Sequence, residues 1–165
     1  MRSRFTLSVA TVALGLLALA GCASGTTSPG SGTPGTPGAS STDLKVADTS
    51  LGGIVVNGKG MTVYVFDKDT AGSGMSACAG SCAPVWPAVT TTASAPVVDG
   101  VTGTLGTITG TDGSTQVTLN GLPLYTYASD SAPGDVTGQG FGEIWWVVSP
   151  SGDKITTPAK NSTGY

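Results

Sequence analysis

The segment GMTVYVFDKDTA at residues 60–71 aligns with GLPLYTYASDSA at residues 121–132 over its whole length, without a gap. The offset is 61 residues throughout, and Gly, Tyr, Asp and Ala are identical in the two segments. Both segments are rich in β-branched and aromatic residues, which favour strands. The sequence therefore predicts a duplicated β unit.

The correspondence extends beyond these segments. Trp86 follows the first segment, and the adjacent Trp145 and Trp146 follow the second at a similar distance. We predict repeat units at about residues 51–100 and 101–160. Duplication allows each unit to bury its aromatic face against the other, so neither unit needs to be stable alone.

The rest of the chain after residue 43 also favours strands. Apolar stretches alternate with turn sequences, which predicts hairpins at residues 54–66, 104–119 and 144–156 and a turn at Asn120-Gly121. Residues 76–83 are the one stretch that favours a helical turn. The predicted fold class is all-β: residues 43–165 form one compact domain of two tandem pseudo-symmetric β-hairpin units, with sandwich- or barrel-like packing.

The N-terminus has the features of a secretory signal. Two arginines precede an apolar run, which ends in Leu19-Ala20-Gly21-Cys22. This ending resembles the lipobox of bacterial lipoproteins. The resemblance implies a signal peptide at residues 1–21, cleavage before Cys22, and lipidation of Cys22 by acyl chains such as palmitate. A transmembrane anchor is the alternative, but the run is shorter than the roughly 20 residues that span a bilayer.

A tether follows the proposed lipid anchor. Between Cys22 and residue 42 the chain is almost entirely Gly, Ser, Thr and Pro, so it lacks the apolar side chains needed to fold. We expect residues 22–42 to be a disordered spacer that holds the domain away from the membrane. Twenty residues of this kind reach roughly 25 Å.

Composition excludes several functions. The chain contains no histidine, which removes Ser-His-Asp and Cys-His catalysis and the commonest metal ligand. Without the arginines of the signal, five lysines face ten acidic side chains, which argues against binding to nucleic acid. No nucleophile is paired with a base in the sequence. We therefore predict no catalytic residues, no metal and no cofactor.

The two aligned segments share a motif. Tyr64, Phe66 and Asp69 fit Tyr-x-[Phe/Trp/Tyr]-x-x-Asp, as do the corresponding residues of the second segment, which are Tyr125, Tyr127 and Asp130. This pattern is similar to that of a family of secreted bacterial lipoproteins described as a secreted repeat of unknown function. The resemblance implies duplication and an extracytoplasmic location. It supplies no catalytic residues.

The motif residues have structural and functional interpretations. The two aromatic residues of each motif lie on one side of a strand, where they either pack in the core or form an exposed platform for a glycan or another ligand. Asp69 and Asp130 follow the strands, where aspartate commonly caps a turn. Residues 67–72 also resemble the start of a calcium loop, but Ala71 occupies the third ligand position.

Cysteine and tryptophan supply the remaining candidates. Cys78 and Cys82 are expected to form a structural disulfide in an oxidising compartment. The alternative is a redox-active or Cu(I)-binding pair, although copper sites of this kind normally include histidine. Trp145 and Trp146 point to opposite sides of a strand, so one is expected to be buried and the other is a candidate for binding.

Together these features predict a function. We expect an extracytoplasmic lipoprotein that is anchored to the bacterial cell membrane through its lipid. Its domain is a non-enzymatic binding or scaffolding module, with an unidentified ligand or partner in the cell envelope. The alternative is a redox or copper-handling lipoprotein that uses Cys78 and Cys82, and a hydrolase is the weaker third possibility.

Overall fold

The structure, a computed structural model, describes residues 42–159. Eight strands and one short helix follow in chain order: β1 Leu44–Thr49, β2 Gly52–Asn57, β3 Tyr64–Phe66, β4 Val98–Asp99, β5 Leu105–Thr109, β6 Thr115–Leu119, β7 Leu122–Pro123, the 3₁₀ helix Phe141–Glu143, and β8 Trp145–Val147. The predicted all-β fold is confirmed. Three small sheets, β2-β1-β4, β3-β8 and β5-β6-β7, do not join into one closed cylinder in this part of the chain.

Each repeat begins with an antiparallel hairpin. In the first repeat β1 pairs with β2, and in the second β5 pairs with β6. The turn after β6 has the geometry that Asn-Gly favours, because Asn120 (φ 51°) and Gly121 (φ 80°) both adopt positive φ. The predicted Asn120-Gly121 turn is thus confirmed, and it joins β6 to β7.

The last strand of each repeat lies in the other repeat. β8 belongs to the second repeat but pairs with β3 of the first, with Phe66 opposite Trp145. The equivalent segment of the first repeat, around Val89, contacts the second repeat, because the N–H of Val117 donates to the carbonyl oxygen of Val89 (2.8 Å). The matching bond of the first repeat runs from the N–H of Val55 to Val148 (2.9 Å). The two repeats are therefore interlocked.

An approximate two-fold axis relates the repeats. Tyr64 and Tyr125 face each other across a single antiparallel bridge, and their backbones exchange two hydrogen bonds of 2.8 and 3.0 Å. The hydrogen bonds around this bridge establish which residues are equivalent. Val55 corresponds to Val117, since each accepts from the residue before its motif tyrosine, which is Val63 or Leu124.

Two of the predicted local structures are wrong. The first hairpin was expected to continue to Phe66, but it ends after the bridge between Val56 and Thr62, because β3 pairs with β8 instead. Residues 76–83 contain turns and bends rather than a helix, and the one helix of residues 42–159 is Phe141–Glu143. A helical turn at residues 76–83 is disfavoured by Gly80, which adopts a positive φ of 60°.

The core has an aliphatic part and an aromatic part. The aliphatic part contains the equivalent valines Val55 and Val117 together with residues from both repeats. The aromatic part contains five buried rings from both repeats, and its members are Ile54, Val56, Tyr64, Phe66, Cys78, Trp86, Tyr125, Trp145 and Val147. Because each part draws on both repeats, neither repeat contains a complete core of its own.

Candidate functional site

The tyrosine of each motif is hydrogen-bonded to the aspartate of the other motif. The hydroxyl of Tyr64 donates to Oδ2 of Asp130, and the hydroxyl of Tyr125 donates to Oδ2 of Asp69, both at 2.7 Å. Hydrogen bonds to a charged group contribute more than neutral ones, about 1.5–3 kcal/mol each. The motif therefore supplies a reciprocal pair of bonds that joins the two repeats.

The second carboxylate oxygen of each aspartate holds a loop of its own repeat. Oδ1 of Asp69 accepts from the backbone N–H of Ala77 (2.7 Å), and Oδ1 of Asp130 accepts from that of Thr137 (2.9 Å). The structure thus places both aspartates where they accept backbone N–H groups, as a turn cap does, although each donor lies several residues further along the chain. Each carboxylate connects a loop of one repeat to the tyrosine of the other.

One aromatic residue of each motif and one tryptophan of each repeat form a column of four stacked rings. Trp86 and Trp145 are the inner pair, with their ring centroids 3.8 Å apart and their planes 3° from parallel. Phe66 stacks on Trp145 (4.1 Å) and Tyr127 stacks on Trp86 (4.3 Å). Every contact in this column joins one repeat to the other. We call it the aromatic column.

These contacts establish what the motif does in the fold. Stacked and edge-to-face aromatic pairs contribute about 0.5–1.5 kcal/mol each beyond the area they bury. Tyr64 also lies edge-on to Trp86 (5.4 Å), and its equivalent Tyr125 lies edge-on to Trp145 (5.2 Å). Of the two alternatives that the sequence left open for these aromatic residues, packing in a core applies to Tyr64, Phe66 and Tyr125, which are all buried. Phe66 stacks on Trp145 of the opposite repeat, in agreement with the expectation that each unit buries its aromatic face against the other.

Burial controls the protonation of the Tyr–Asp pairs. Burial raises the pKa of both Tyr64 and Tyr125 well above its usual range, and the partner carboxylate of each raises it further. Burial also raises the pKa of Asp69, against the opposing effect of the Ala77 N–H. The tyrosines therefore remain hydrogen-bond donors at physiological pH.

The raised pKa of Asp69 predicts a pH effect on stability. The folded state holds this proton more tightly than the unfolded state, so the contribution of Asp69 to the unfolding free energy is fully present below its ordinary pKa of 3.8. It is lost as the pH rises through the higher pKa of the folded protein. We expect the unfolding free energy of the wild type, minus that of Asp69→Asn, to decrease between acidic and neutral pH. Urea denaturation across this range measures the difference, and a difference that increases would contradict the prediction.

The two ends of the aromatic column differ. At one end Phe66 is buried, with Nζ of Lys68 6.0 Å from the ring centroid. At the other end Tyr127 is only half-buried and lies 5.6 Å from Phe141, which is 49% exposed. Val85, next to Trp86 in the chain, is also exposed. Tyr127, Phe141 and Val85 make up an apolar surface, which we call the open end of the column.

The structure separates the two candidate tryptophans. Trp145 is buried inside the aromatic column and is 3% exposed. Trp146 is half-buried, and its Nε1–H donates to Oδ2 of Asp67 (2.8 Å). Lys154 forms an ion pair with Asp67 (2.8 Å) and lies over the Trp146 ring at 5.6 Å. One is buried and the other partly exposed, as predicted, but the indole N–H of Trp146 is already engaged within the chain.

Cys78 and Cys82 form the predicted disulfide. Cys78 is buried beside the aromatic column, whereas Cys82 is half-buried. An external thiol would reach Cys82 first and would release the sulfur of Cys78 as a thiolate. Apolar surroundings disfavour a thiolate, so this release is unfavourable. The geometry favours a structural disulfide over a readily exchanged one.

The disulfide predicts a simple chemical result. In full-length protein carrying Cys22→Ala, we expect Cys78 and Cys82 to give no reaction with a thiol reagent, either folded or in denaturant without reductant. Replacing both cysteines with serine should lower the unfolding free energy by about 2 kcal/mol, because the closed loop is short. Thiol titration and urea denaturation measure these two effects. Two free thiols in the native protein would contradict the first, and an unchanged unfolding midpoint would contradict the second.

In residues 42–159, besides a cleft of about 210 Å³ whose lining includes Asp69, two clefts lie beside this framework. The larger, of about 670 Å³, is lined by residues that include Asp43, Lys45 and Lys59. The smaller, of about 250 Å³, lies between the disulfide loop and the turn that joins β5 to β6, and its lining includes Ser76, Trp86, Asp112, Gln116 and Tyr125. We call the smaller one the polar cleft. Within residues 42–159, no group of three or more His, Cys, Asp or Glu side chains is arranged to hold a metal ion.

The N-terminal features lie outside this part of the molecule. The signal at residues 1–21, the lipidation site Cys22 and the tether up to residue 41 precede the described residues. In residues 42–159 no helix has both the length and the apolar character that crossing a bilayer requires.

The fold and the interlocked motifs define a class: a duplicated all-β domain in which two copies of one unit complete each other. A family model described as a secreted repeat of unknown function matches the chain twice, at residues 45–90 and 106–149. The chain belongs to this family, and the resemblance inferred from the sequence is confirmed. The family description supports an extracytoplasmic location. No curated protein and no solved structure matches the chain.

Proposed function

We propose that this protein is a lipid-anchored module of the bacterial cell envelope that binds or scaffolds a partner without catalysing a reaction. The observation that carries the proposal is the reciprocal pairing of Tyr64 with Asp130 and of Tyr125 with Asp69. The tyrosine and aspartate side chains of the two motifs are hydrogen-bonded to each other, so their role is architectural. Loops and surface clefts are left to make contact with other molecules.

The arrangement of acids supports a non-enzymatic role. General acid–base catalysis needs two groups of different pKa that converge on one substrate. Asp112 and Asp135 lie at the surface, and hydrogen bonds from neighbouring Ser114 and Ser131 respectively lower the pKa of each carboxyl. Both are therefore fixed as carboxylates by their own turns. Such groups suit turn formation and hydrogen bonding to a ligand better than proton transfer.

Several independent features support the proposed location. The family is a secreted one, and the disulfide suits an oxidising compartment. The Leu19-Ala20-Gly21-Cys22 sequence supplies a lipidation site, and stable anchoring requires two acyl chains or more. The tether then gives the domain a reach of roughly 25 Å from the bilayer surface.

The anchor is tested by Cys22→Ala. We expect the wild type to sediment with membranes and to enter the detergent phase, and the variant to lose at least tenfold of its membrane-bound fraction. Cell fractionation with quantitative immunoblotting measures this loss. Ser24→Ala is the matched control, because it changes a neighbouring residue without removing the thiol. Membrane retention of Cys22→Ala at the wild-type level would contradict the proposed anchor.

The binding role is tested separately with the same lipid-free variant. Purified Cys22→Ala protein should co-sediment with isolated cell walls in a saturable manner, and unlabelled protein should displace labelled protein. Heat-denatured protein is the control for non-specific adsorption. If the folded domain shows no saturable sedimentation, the result would contradict both a cell-wall ligand and the proposed binding role.

A further inference from the structure

We propose that the polar cleft binds one neutral sugar unit of a cell-envelope glycan. This inference rests on the proposed binding function and names its ligand class. The cleft is lined by small apolar residues and by several hydroxyl, amide and carboxylate groups, of which the principal ones belong to Ser76, Thr90, Asp112, Gln116 and Tyr125.

The cleft lies where the pseudo-symmetry of the domain is broken. Since Val55 corresponds to Val117, the preceding Ile54 corresponds to Gln116. Ile54 packs in the aromatic part of the core and is fully buried. Gln116 is also buried, at 1% exposure, but it is a lining residue of the cleft and carries a carboxamide. The first repeat demonstrates that this position of the fold accepts an aliphatic residue.

A buried amide in place of an aliphatic side chain is costly unless it is hydrogen-bonded. Nε2 of Gln116 donates to the carbonyl oxygen of Leu124 (3.0 Å), so the nitrogen of the carboxamide has a hydrogen-bond partner. Ile54, at the same position of the first repeat, has no polar side-chain atom that needs a hydrogen-bond partner. A polar group that the fold does not require, located on the wall of a cleft, is typical of a ligand-binding site.

Further polar groups converge on this wall. The hydroxyls of Ser76 and Tyr125 are 2.7 Å apart, and Tyr125 also donates to Asp69. Thr90, whose backbone is bridged to Gln116, and Asp112, in the turn between β5 and β6, are exposed residues of the same lining. Hydroxyl and amide groups both donate and accept hydrogen bonds, so they match the hydroxyls of a sugar. Ala83, Pro87 and Ala88, which are exposed or partly exposed, provide apolar surface for its C–H groups.

The size and charge of the cleft narrow the class of ligand that it could bind. A volume of about 250 Å³ lies below the roughly 300–1,000 Å³ of pockets for drug-sized molecules, so it suits a single ring. Asp112 is the one charged residue in the lining, and its pKa is lowered by the hydroxyl and N–H of Ser114. Among residues 42–159 no lysine or arginine lines the cleft, so the Asp112 carboxylate repels anions there, and phosphate and acidic sugars are disfavoured.

The test uses full-length Cys22→Ala protein and two soluble probes, glucose and N-acetylglucosamine. We expect millimolar binding of at least one of them by NMR titration, with chemical shift changes at residues that line the polar cleft. Gln116→Ile, which introduces the residue of the first repeat, should weaken binding at least tenfold while the thermal midpoint stays near that of the wild type. Thr107→Ile on the exposed side of β5 is the matched control and should bind normally.

The outcomes separate this inference from the proposed function. If Gln116→Ile does not fold, Ser76→Ala replaces it and should weaken binding of the same probe. No binding of either sugar at 50 mM, or equal binding by wild type, Gln116→Ile and Ser76→Ala, would overturn the inference. So would loss of binding in Phe141→Ser alone, because that would assign the ligand to the open end of the column. Saturable binding to cell walls that survives in Gln116→Ile would leave the binding function intact and remove only the sugar site.

Discussion

Replacing Trp145 with alanine is expected to lower the unfolding free energy by about 3–5 kcal/mol, the usual cost of truncating a buried tryptophan. Trp145 stacks between Trp86 and Phe66, with ring centroids 3.8 and 4.1 Å away, and it meets Tyr125 edge-on. The variant loses contacts to three buried rings at once. A loss of this size is a large fraction of the 5–15 kcal/mol that stabilise an ordinary domain.

Trp146→Ala is the matched comparison, since it removes the same side chain one residue away. Trp146 is half-buried, and its polar contact to Asp67 lies at the surface. We expect a loss of about 1 kcal/mol, which is typical of a substitution outside the core. Urea denaturation followed by tryptophan fluorescence and circular dichroism measures both variants. Equal losses for the two, or a larger loss for Trp146→Ala, would contradict the arrangement of the aromatic column.

The local pattern of the sequence predicted much of the secondary structure. The pairing of β5 with β6 and the Asn120-Gly121 turn depend on residues close together in the chain, and both are found as expected. The pairing of β3 with β8 could not be predicted in this way, because Phe66 and Trp145 are far apart in sequence. Local alternation indicates a strand but does not identify its partner when two units of similar sequence compete for it.

The same reason explains what was missed in the motif. Asp69 and Asp130 follow a strand and precede a loop, a position that predicts a local capping bond. Each aspartate does accept from a backbone N–H of its own repeat, but that donor lies eight or seven residues further along the chain. The second oxygen of each carboxylate accepts from a tyrosine of the opposite repeat. The constant offset of 61 residues was the available signal. It indicated that the two motifs are equivalent, and equivalent residues about a two-fold axis can pair reciprocally.

The polar cleft was not predicted from the sequence at all. Gln116 lies in a strand of alternating polarity, where a glutamine normally points to solvent. The structure buries it because β6 is covered on both faces, as the four buried residues in its burial pattern indicate. Only the comparison with Ile54 in the equivalent position makes the amide unusual. That comparison requires the register of both repeats, which the sequence alignment of residues 60–71 and 121–132 does not reach.

The interlocked repeats lead to the second large expected effect: neither repeat should fold alone. A fragment of residues 42–102 lacks β8, which pairs with β3, and it lacks the partners of Tyr64 and Trp86. A fragment of residues 103–159 lacks β3, which pairs with β8, and it lacks the partners of Tyr125 and Trp145 in the first repeat. Each loses half of both parts of the core, so the remaining burial cannot offset the conformational entropy of folding. We expect each fragment to give the circular dichroism spectrum of an unfolded chain and to show no cooperative unfolding transition.

Mixing the two fragments should restore the domain, because every contact across the pseudo-two-fold axis can form between separate chains. Equimolar mixtures are expected to elute as a 1:1 complex and to recover the near-ultraviolet signal of the stacked tryptophans. Unbroken residues 42–159 serve as the control, since they lack the tether but retain both repeats. Asp130→Asn and Trp145→Ala in the second fragment should weaken the complex, as each contacts the first repeat. A cooperative thermal transition of either fragment alone, as a monomer, would contradict the dependence of each repeat on the other.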